Sequence, residues 1–209
     1  MAVQYGFHFD SARCTGCKTC VLACKDYKDL DASTAFRHVY DYEGGSWERL
    51  GDDAWLQDSF VYHVSLSCNH CAAPVCVQVC PTGAMHKEAE TGFVLVDDRV
   101  CVGCGYCELS CPYNAPTVSG SLHRCVKCDG CRDRVAQGLD PVCVRACPMR
   151  ALDFGTLEEL RERHADASED IAPLPDARYT LPSLLVRLCP AARMPGDTEG
   201  HIANRAEVE

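Results

Sequence analysis

Basic residues are few in this sequence of 209 residues, since 20 Lys and Arg stand against 30 Asp and Glu and give a formal net charge of −10 at pH 7. Such a protein repels a phosphate backbone, which argues against nucleic acid as a partner. Aliphatic residues are also scarce. The apolar share of 47% includes 18 cysteines, and without them it is about 38%. Something other than packed Leu and Ile must help to stabilise the fold.

No targeting or membrane-spanning signal stands out. The first ten residues have no basic start, apolar run or small-residue cleavage site, and so do not resemble a signal peptide. Residues Ser59–His86 lack Asp, Glu, Lys and Arg over 28 positions, which is long enough to span a membrane. The same stretch holds four Cys, three His and two Pro, a polar load that a lipid-facing helix would not carry. We expect a buried segment and a chain that does not cross a membrane.

Cysteine is what the sequence has in excess. Sixteen of the 18 cysteines fall into four groups of four. The first and third groups have the spacing C-x2-C-x2-C-x3-C, and they are Cys14, Cys17, Cys20, Cys24 and Cys101, Cys104, Cys107, Cys111. The second and fourth have wider gaps, and they are Cys68, Cys71, Cys76, Cys80 and Cys128, Cys131, Cys143, Cys147. Cys125 and Cys189 are left over.

Three kinds of chemistry use clustered cysteines. Disulfides are disfavoured, because cysteines two residues apart have poor geometry for them and no secretory signal is present. Zinc sites use two C-x2-C pairs rather than triplets. The run C-x2-C-x2-C-x3-C-P is the bacterial ferredoxin motif, which binds a 4Fe-4S cluster. The pattern therefore favours iron–sulfur clusters over zinc.

Two internal repeats show how the groups pair. Phe9–Cys24 matches Val96–Cys111 at seven of 16 positions, and Pro74–Met85 matches Pro141–Leu152 at seven of 12. The stretch between Cys80 and Cys101 predicts a strand, a turn at residues 90–92 and a second strand, the hairpin that joins the two motifs of a two-cluster ferredoxin. Groups two and three are thus predicted to form one module, and groups one and four the other. Pairing of one with two and three with four is the alternative.

In two-cluster ferredoxins the fourth cysteine of a motif ligates the other cluster of its pair. This crossing rule predicts four 4Fe-4S clusters. The predicted ligands are Cys14, Cys17, Cys20 and Cys147 for cluster one; Cys24, Cys128, Cys131 and Cys143 for cluster two; Cys68, Cys71, Cys76 and Cys111 for cluster three; and Cys80, Cys101, Cys104 and Cys107 for cluster four.

The clusters would add roughly −8 to the charge of the chain, so nearby N–H groups and cations are needed to offset it. Five basic residues lie next to ligands, although each could equally be a solvated loop end: Arg13, Lys18, Arg99, Lys127 and Arg150. His70 is expected close behind the ligands, and His86 is an exposed turn residue or a proton carrier. Cys125 competes with Cys128 as a ligand, and the repeat favours Cys128. Cys189 is expected to be an ordinary small apolar residue.

Long strings of this sequence resemble a known family. They include QYGFHFD, RCTGCKTCVLACKDYKDL, CPTGAMHKE, KCDGCRDRV and CPMRALDFG. The sequence is similar, nearly end to end, to the four-cluster ferredoxin-type iron–sulfur subunits of membrane-bound molybdenum oxidoreductases of the dimethyl sulfoxide reductase type. The resemblance implies a non-catalytic electron-transfer subunit. It implies that electrons pass from a quinol-oxidising membrane anchor subunit, through four 4Fe-4S clusters, to a molybdopterin catalytic subunit.

The resemblance also implies the ligand sets given above, with cluster one nearest the molybdenum subunit and cluster four nearest the membrane. Relatives with a 3Fe-4S cluster replace the middle cysteine of the third group by Trp. That position is Cys104 here, so four full cubes are implied. His86 would lie near the quinol end. The protein would be membrane-associated through its partners, on a periplasmic or a cytoplasmic face. The alternatives are a related polysulfide, tetrathionate or formate complex, or a free polyferredoxin.

The expected fold is α+β, with two tandem ferredoxin-like modules, one nested in the other. The expected divisions are 1–30 with 120–156 for the outer module, 31–66 for an inserted β element, 67–119 for the inner module, and 157–209 for a short helix and an extended partner-binding tail. Residues 35–42 and 60–66 alternate as strands, with a turn at Gly44–Gly45. Residues 156–164 predict a helix capped by Thr156. The Pro-rich tail is expected to wander or to lie along a partner.

Overall fold

The computed structural model describes residues 3–208, which form a mixed α and β structure with few and short helices. The strands are β1 (Tyr5–Asp10), β2 (Arg37–Gly44), β3 (Trp47–Arg49), β4 (Trp55–Gln57), β5 (Phe60–Ser67), β6 (Met85–Lys87), β7 (Val94–Val96), β8 (Thr117–Ser119), β9 (Arg124–Val126), β10 (Leu152–Thr156), β11 (Leu184–Arg187) and β12 (Gly200–Ile202). The helices are α1 (Thr19–Tyr27), α2 (Val75–Gln78), α3 (Tyr106–Ser110), α4 (Arg132–Val135), α5 (Val142–Ala146), α6 (Leu157–Arg163) and α7 (Arg205–Val208).

A three-stranded sheet in the order β10-β1-β11 joins three distant parts of the sequence. Strand β1 pairs antiparallel with β10 and parallel with β11. Its Phe7 and Phe9 are buried, and Phe7 lies against Phe154 with ring centroids 5.2 Å apart. The sheet ends just before the first cysteine group, so it fixes the position of the loop that carries Cys14.

The inserted β element differs from its prediction at the turn. Strands β2 and β5 pair antiparallel over their whole length, from Arg37 with Ser67 to Gly44 with Phe60. Gly44 belongs to β2, and Gly45, with φ at 92°, leads into the separate hairpin β3–β4. The Gly-Gly pair therefore starts an extra hairpin instead of connecting the two predicted strands directly. The sequence lacked a clear alternating pattern for these three-residue strands.

The hairpin predicted between the second and third groups is confirmed. Strands β6 and β7 pair antiparallel, with Met85 opposite Val96. The turn contains Gly92 at φ 71°, a left-handed conformation that favours glycine. A second hairpin, β8–β9, follows the third group and reaches back over its loop.

The helices carry the cysteines and pack in pairs. Helix α1 contacts α5, and α2 contacts α3. Helix α6 is confirmed as predicted: Thr156 accepts from the Glu159 N–H, and the Glu159 carboxylate accepts from the Thr156 N–H. Such a capping box satisfies backbone donors that the helix leaves unpaired.

The C-terminal tail folds back on the rest of the same polypeptide, which corrects the expectation that it would wander or extend along a partner. Strand β11 adds to β1, and β12 pairs antiparallel with β2. Ile171 and Val186 are fully buried in the main core. The backbone groups of the tail find partners in existing sheet edges, so it needs no core of its own.

Candidate iron–sulfur centres

Four cysteines line one cavity beside the end of β1. They are Cys14, Cys17, Cys20 and Cys147, the residues predicted for cluster one. Cys14 and Cys17 lie in the segment that joins β1 to α1, Cys20 lies in the first turn of α1, and Cys147 directly follows α5. Gly16 has φ at 65°, and a Cβ there would come within 2.6 Å of the His63 ring. Glycine is required because the loop turns left-handed while it is pressed against this histidine.

A second cavity repeats this arrangement with the third group. It is lined by Cys80, Cys101, Cys104 and Cys107, the residues predicted for cluster four, and additionally by Cys125. A Cβ on Gly103 would collide with the His123 carbonyl oxygen of the β8–β9 hairpin. The hairpin therefore sits directly on the ligand loop.

The cysteines predicted for cluster two meet where α1 packs on α5. Burial raises the pKa of Cys24 to about 12, and the neighbouring thiols of Cys143 and Cys131 raise it further. Burial also raises the pKa of Cys128, with added contributions from Cys68 and Cys24. The structure thus brings Cys24 near Cys128, Cys131 and Cys143, with which it is predicted to share a cluster.

The cysteines predicted for cluster three also lie together. Burial raises the pKa of Cys76 to about 12, and the thiols of Cys68, Cys111 and Cys71 add to this shift. Burial likewise raises the pKa of Cys71 to about 11. Cys111 ends α3 and reaches this set from the neighbouring motif.

The sulfurs surround spaces rather than single points. Within residues 3–208, no three Cys, His, Asp or Glu side chains converge closely enough to hold one metal ion. In the ligand sets of clusters one and four the thiols instead form the walls of a cavity. Thiolates around such a space are the donor set of a 4Fe-4S cluster. The residues present therefore fit that cofactor.

Backbone N–H groups are directed at sulfurs in all four ligand sets. For cluster three they are those of Ala115 and Tyr113, which face Cys111. The other three sets have four such pairs. The pairs are Met85 to Cys80 (3.4 Å), Cys125 to Cys101 (3.4 Å), Gly130 to Cys128 (3.4 Å) and Ala151 to Cys147 (3.3 Å). Each bond favours the charged thiolate over the neutral thiol. Hydrogen bonds to ligand sulfurs also raise cluster reduction potentials.

Burial has a consequence for metal loading. It raises the pKa of Cys14 to about 11, and those of Cys24 and Cys76 to about 12. These groups are neutral thiols at pH 7 unless a cation draws off the proton, so cluster binding releases protons and is favoured by higher pH.

A buried cation between the first two ligand sets was missed by sequence reasoning. Arg37 in β2 is almost fully buried and donates from Nη1 to Ser65 Oγ (3.0 Å) and from Nη2 to Ser67 Oγ (2.9 Å). Burial lowers its pKa, but the charges of nearby cysteines, with Cys143 and Cys20 the largest, outweigh this and raise it. An arginine in an alternating strand usually marks an exposed face, so the sequence carried no signal for this role.

Lys127 is a second buried cation, and it lies between the ligand sets of clusters two and three. Its Nζ contacts Cys68 Sγ at 3.5 Å and donates to the Cys128 carbonyl at 2.7 Å and to the Val94 carbonyl. Burial lowers its pKa, while the charges of Cys68 and Cys128 raise it and prevail. Of the five basic residues predicted near ligands, this one is placed to offset cluster charge directly.

The other four basic residues have partners at or near the surface, and Lys18 also lines the cavity predicted for cluster one. Lys18 pairs with Glu207, Arg13 with Asp10 and Arg99 with Asp97. Arg150 donates to the backbone carbonyls of Arg145 and Cys147. The pairs of Lys18 and Arg99 lie at the surface and contribute little to stability, whereas Asp10, the partner of Arg13, is buried.

His70 lies behind the ligands, as predicted. It is buried, and its Nδ1 accepts from the Val94 N–H at 3.0 Å. Burial, aided by Lys127 and Lys87, holds its pKa well below 6.5, so the ring is neutral. With Nδ1 accepting, the proton sits on Nε2, which faces Cys128 Sγ at 4.0 Å.

The remaining candidates are placed as follows. His86 lies in β6 with an exposed side chain, and its Nδ1 is 3.1 Å from the Ala84 carbonyl. Cys189 is half-buried against the main core. Cys125 lies at the cavity predicted for cluster four, not among its sequence neighbours of the fourth group.

Two family models match the sequence. A 4Fe-4S dicluster domain matches residues 59–157, and a 4Fe-4S binding domain matches residues 11–28. Together with the cavities and their cysteine walls, these define a ferredoxin-type protein that carries 4Fe-4S clusters. The sixteen grouped cysteines are the number that four such clusters need.

Similar proteins show which family of 4Fe-4S proteins this sequence belongs to. The protein is 53% identical over 208 residues to the B subunit of anaerobic dimethyl sulfoxide reductase from Escherichia coli K12, with both sequences covered completely. It is 53% identical to the corresponding B subunit of Haemophilus influenzae, over 98% of this sequence and 99% of that one. Thiosulfate reductase electron transfer subunit PhsB of Salmonella typhi is 34% identical over 88% of this sequence and 92% of its own. The protein belongs to the family of dimethyl sulfoxide reductase B subunits, and it is a non-catalytic electron-transfer subunit.

Proposed function

We propose that this protein relays electrons between a quinol-oxidising membrane anchor subunit and a molybdopterin catalytic subunit that reduces dimethyl sulfoxide. One observation carries the proposal: the cysteine sets form a series whose ends reach the surface. Among the cysteines that the structure describes, Cys17 of the set for cluster one and Cys104 of the set for cluster four are the two exposed ones. An electron relay needs one cluster near the surface where electrons enter, one near the surface where they leave, and buried clusters between them.

The order of the series is supported by residues shared between neighbouring sets. Arg37 lies near cysteines predicted for clusters one and two. Lys127 lies near those for clusters two and three. Helices α2 and α3, which carry cysteines for clusters three and four, pack on each other. We therefore propose the path one–two–three–four.

We propose the ligand sets of the crossing rule unchanged. A 4Fe-4S cluster held by each set would supply one-electron transfer. The protein contributes sixteen thiolates, the N–H donors that face them, and Arg37 and Lys127 as counter-charges. The nested arrangement of residues 1–30 with 120–156 around 67–119 is supported by the α1–α5 and β1–β10 contacts, which join the two ends of the outer module.

The two ends are proposed to meet different partners. Around Cys104, the side chains of Val102, Tyr106 and Leu109 are exposed, and this apolar surface suits the membrane anchor. Both repeats expose a leucine at the same position, Leu22 and Leu109, but the residues aligned with Val102 and Tyr106 are the polar Thr15 and Thr19, which suits the catalytic subunit. No helix within residues 3–208 is long and apolar enough to span a membrane. Membrane association is thus proposed to come through the anchor.

The test is a redox cycle on the complex co-expressed with both partner subunits. Menaquinol analogue should reduce the clusters, and dimethyl sulfoxide should then reoxidise them, as followed by EPR. A protein that purifies alone as a stable monomer in the presence of both partners would support the free polyferredoxin instead. Reoxidation by thiosulfate or polysulfide, but not by dimethyl sulfoxide, would assign a different terminal substrate.

A further inference from the structure

Cys125 stands apart from the sixteen grouped cysteines, yet it is built into one of the cavities. It lies in β9, three residues before Cys128, and it is 4% exposed. Its side chain joins the wall of the cavity formed by Cys80, Cys101, Cys104 and Cys107. A residue that lies next to one group in sequence thus belongs in space to another.

Two contacts connect Cys125 with ligands of that cavity. Its backbone N–H donates to Cys101 Sγ at 3.4 Å. Its thiol packs in the same buried cluster as Cys107, and its Sγ lies 3.9 Å from the Val126 carbonyl oxygen, the nearest other acceptor for its proton. The β8–β9 hairpin cannot shift easily, because the His123 carbonyl oxygen is packed against Gly103 of the same loop. Cys125 is therefore held against two of the four predicted ligands by a fixed element.

The first cavity has a counterpart to this contact. Cys20 occupies the repeat position of Cys107, and Ser65 Oγ lies 3.4 Å from its sulfur. Ser65 Oγ accepts from Arg37 Nη1 at 3.0 Å, so its own proton is free to point at Cys20. In both repeats the third cysteine of the triplet thus has a side-chain donor from an adjacent strand: a hydroxyl in one and a thiol in the other.

We propose that Cys125 is a positioning residue for cluster four, whose S–H turns from the Val126 carbonyl to the Cys107 sulfur when that sulfur is a cluster ligand. The inference rests on the proposed ligand sets. A donor at a ligand sulfur stabilises the more negative, reduced form, so Cys125 raises the reduction potential of cluster four. Its backbone N–H to Cys101 acts in the same direction, and that contact does not depend on the side chain.

The test compares C125A and C125S in the full complex. Iron and sulfide are counted, and each cluster is titrated potentiometrically by EPR. C125A should keep the wild-type iron content and lower the midpoint potential of cluster four while the other three stay unchanged. C125S, which retains a donor, should recover most of the shift. C189A is the matched control, because Cys189 packs against the core and should leave every potential unchanged.

Two results would overturn the inference. Loss of one cluster, or a 3Fe-4S signal, in C125A would make Cys125 a ligand. Unchanged potentials in C125A with full iron content would leave it a packing residue. Failure of the proposed function is distinguishable from both, since it would appear in the wild-type complex as fewer than four 4Fe-4S clusters or as no turnover from quinol to dimethyl sulfoxide.

Discussion

The two ferredoxin repeats, Phe9–Cys24 and Val96–Cys111, have the same ligand scaffold and different outer surfaces. Both hold a glycine with positive φ between the first two cysteines, and both enter a helix through a left-handed residue, Lys18 in one and Gly105 in the other. Four polar positions of the first repeat are apolar or glycine in the second: Arg13, Thr15, Lys18 and Thr19 correspond to Val100, Val102, Gly105 and Tyr106. The cysteine spacing is thus the same in the two repeats, while the residues around the cysteines differ, as the proposed docking to two different partners requires.

The repeats are also supported differently. The first loop is held by side chains: His63 packs on Gly16 and donates from Nδ1 to the Asp41 carboxylate at 2.8 Å, while Lys18 pairs with Glu207 of the C-terminal tail. The second loop is held by the backbone of the β8–β9 hairpin at His123. The first end therefore depends on the tail, and the second depends on its own hairpin.

The largest effects are expected for substitutions at Cys104 and Cys17, the proposed points where electrons enter and leave the series of clusters. C104S should stop reduction of the relay by quinol but leave its oxidation by dimethyl sulfoxide intact in the remaining clusters. C17S should do the opposite, because it removes a ligand at the other end. Each variant should lose or convert one cluster of about four Fe. The measurement is stopped-flow reduction and oxidation of the complex with EPR detection. Equal impairment of both half-reactions in both variants would contradict a directional series.

The second largest effect is expected on binding of the anchor subunit to the second repeat. V102K places a charge in the exposed apolar surface beside Cys104, and should weaken anchor binding roughly ten- to hundredfold, since a buried Val contributes about 1.5–3 kcal/mol. T15K changes the corresponding position of the first repeat and should leave anchor binding intact. Affinity is measured by binding of the cluster-loaded protein to anchor subunit in nanodiscs. Equal weakening by both variants would show that the apolar surface does not select the anchor.

Removal of an interior counter-charge should have a smaller effect. K127M should lower the midpoint potential of cluster three by about 100 mV, because a cation within about 4 Å of a ligand sulfur stabilises the added electron. K28M removes a cation that pairs with Asp129 at 2.7 Å near the surface, and its effect should be several times smaller. Potentiometric EPR titration checks both. A K127M shift no larger than that of K28M would remove Lys127 as a tuning residue.

The smallest effect is expected for G105A, which is compared with a second loop-glycine variant, G103A. G105A meets open space, so it should cost only the left-handed conformation, about 1 kcal/mol. G103A adds a collision with backbone at His123 and should cost several times more, with partial loss of cluster four. Resistance of the cluster-loaded protein to urea, followed by loss of visible absorbance, measures the difference. Similar losses for the two variants would show that the hairpin does not hold the loop.

The features that could be predicted from the sequence all depend on short local patterns of residues. The cysteine spacings identified the cofactor, the alternating residues around Gly92 predicted the β6–β7 hairpin, and the Thr156–Glu159 pair predicted the start of α6. Each of these depends on residues a few positions apart. Partners far apart in sequence were not predictable in this way. The tail was expected along a partner, but the free edges of β1 and β2, which no local pattern reveals, take up its strands.

The same distinction between local and long-range information applies to the candidate iron–sulfur centres. Group membership followed from spacing and repeats, whereas Arg37 and Cys125 depend on which strand the fold brings beside a cysteine. From sequence alone, an arginine in a strand is interpreted as an exposed charge, and a cysteine near a motif is interpreted as an alternative ligand. Only the packing of β2 between ligand sets and of β9 over the third loop gives them another role.

The most direct test of the four-cluster relay is the iron and acid-labile sulfide content of the anaerobically purified protein, together with the EPR spectrum after dithionite reduction. The account predicts about 16 Fe and about 16 sulfide per polypeptide, with broad signals from spin-coupled reduced cubes. About eight Fe, or zinc in place of iron in any of the four groups, would contradict a continuous series from Cys104 to Cys17.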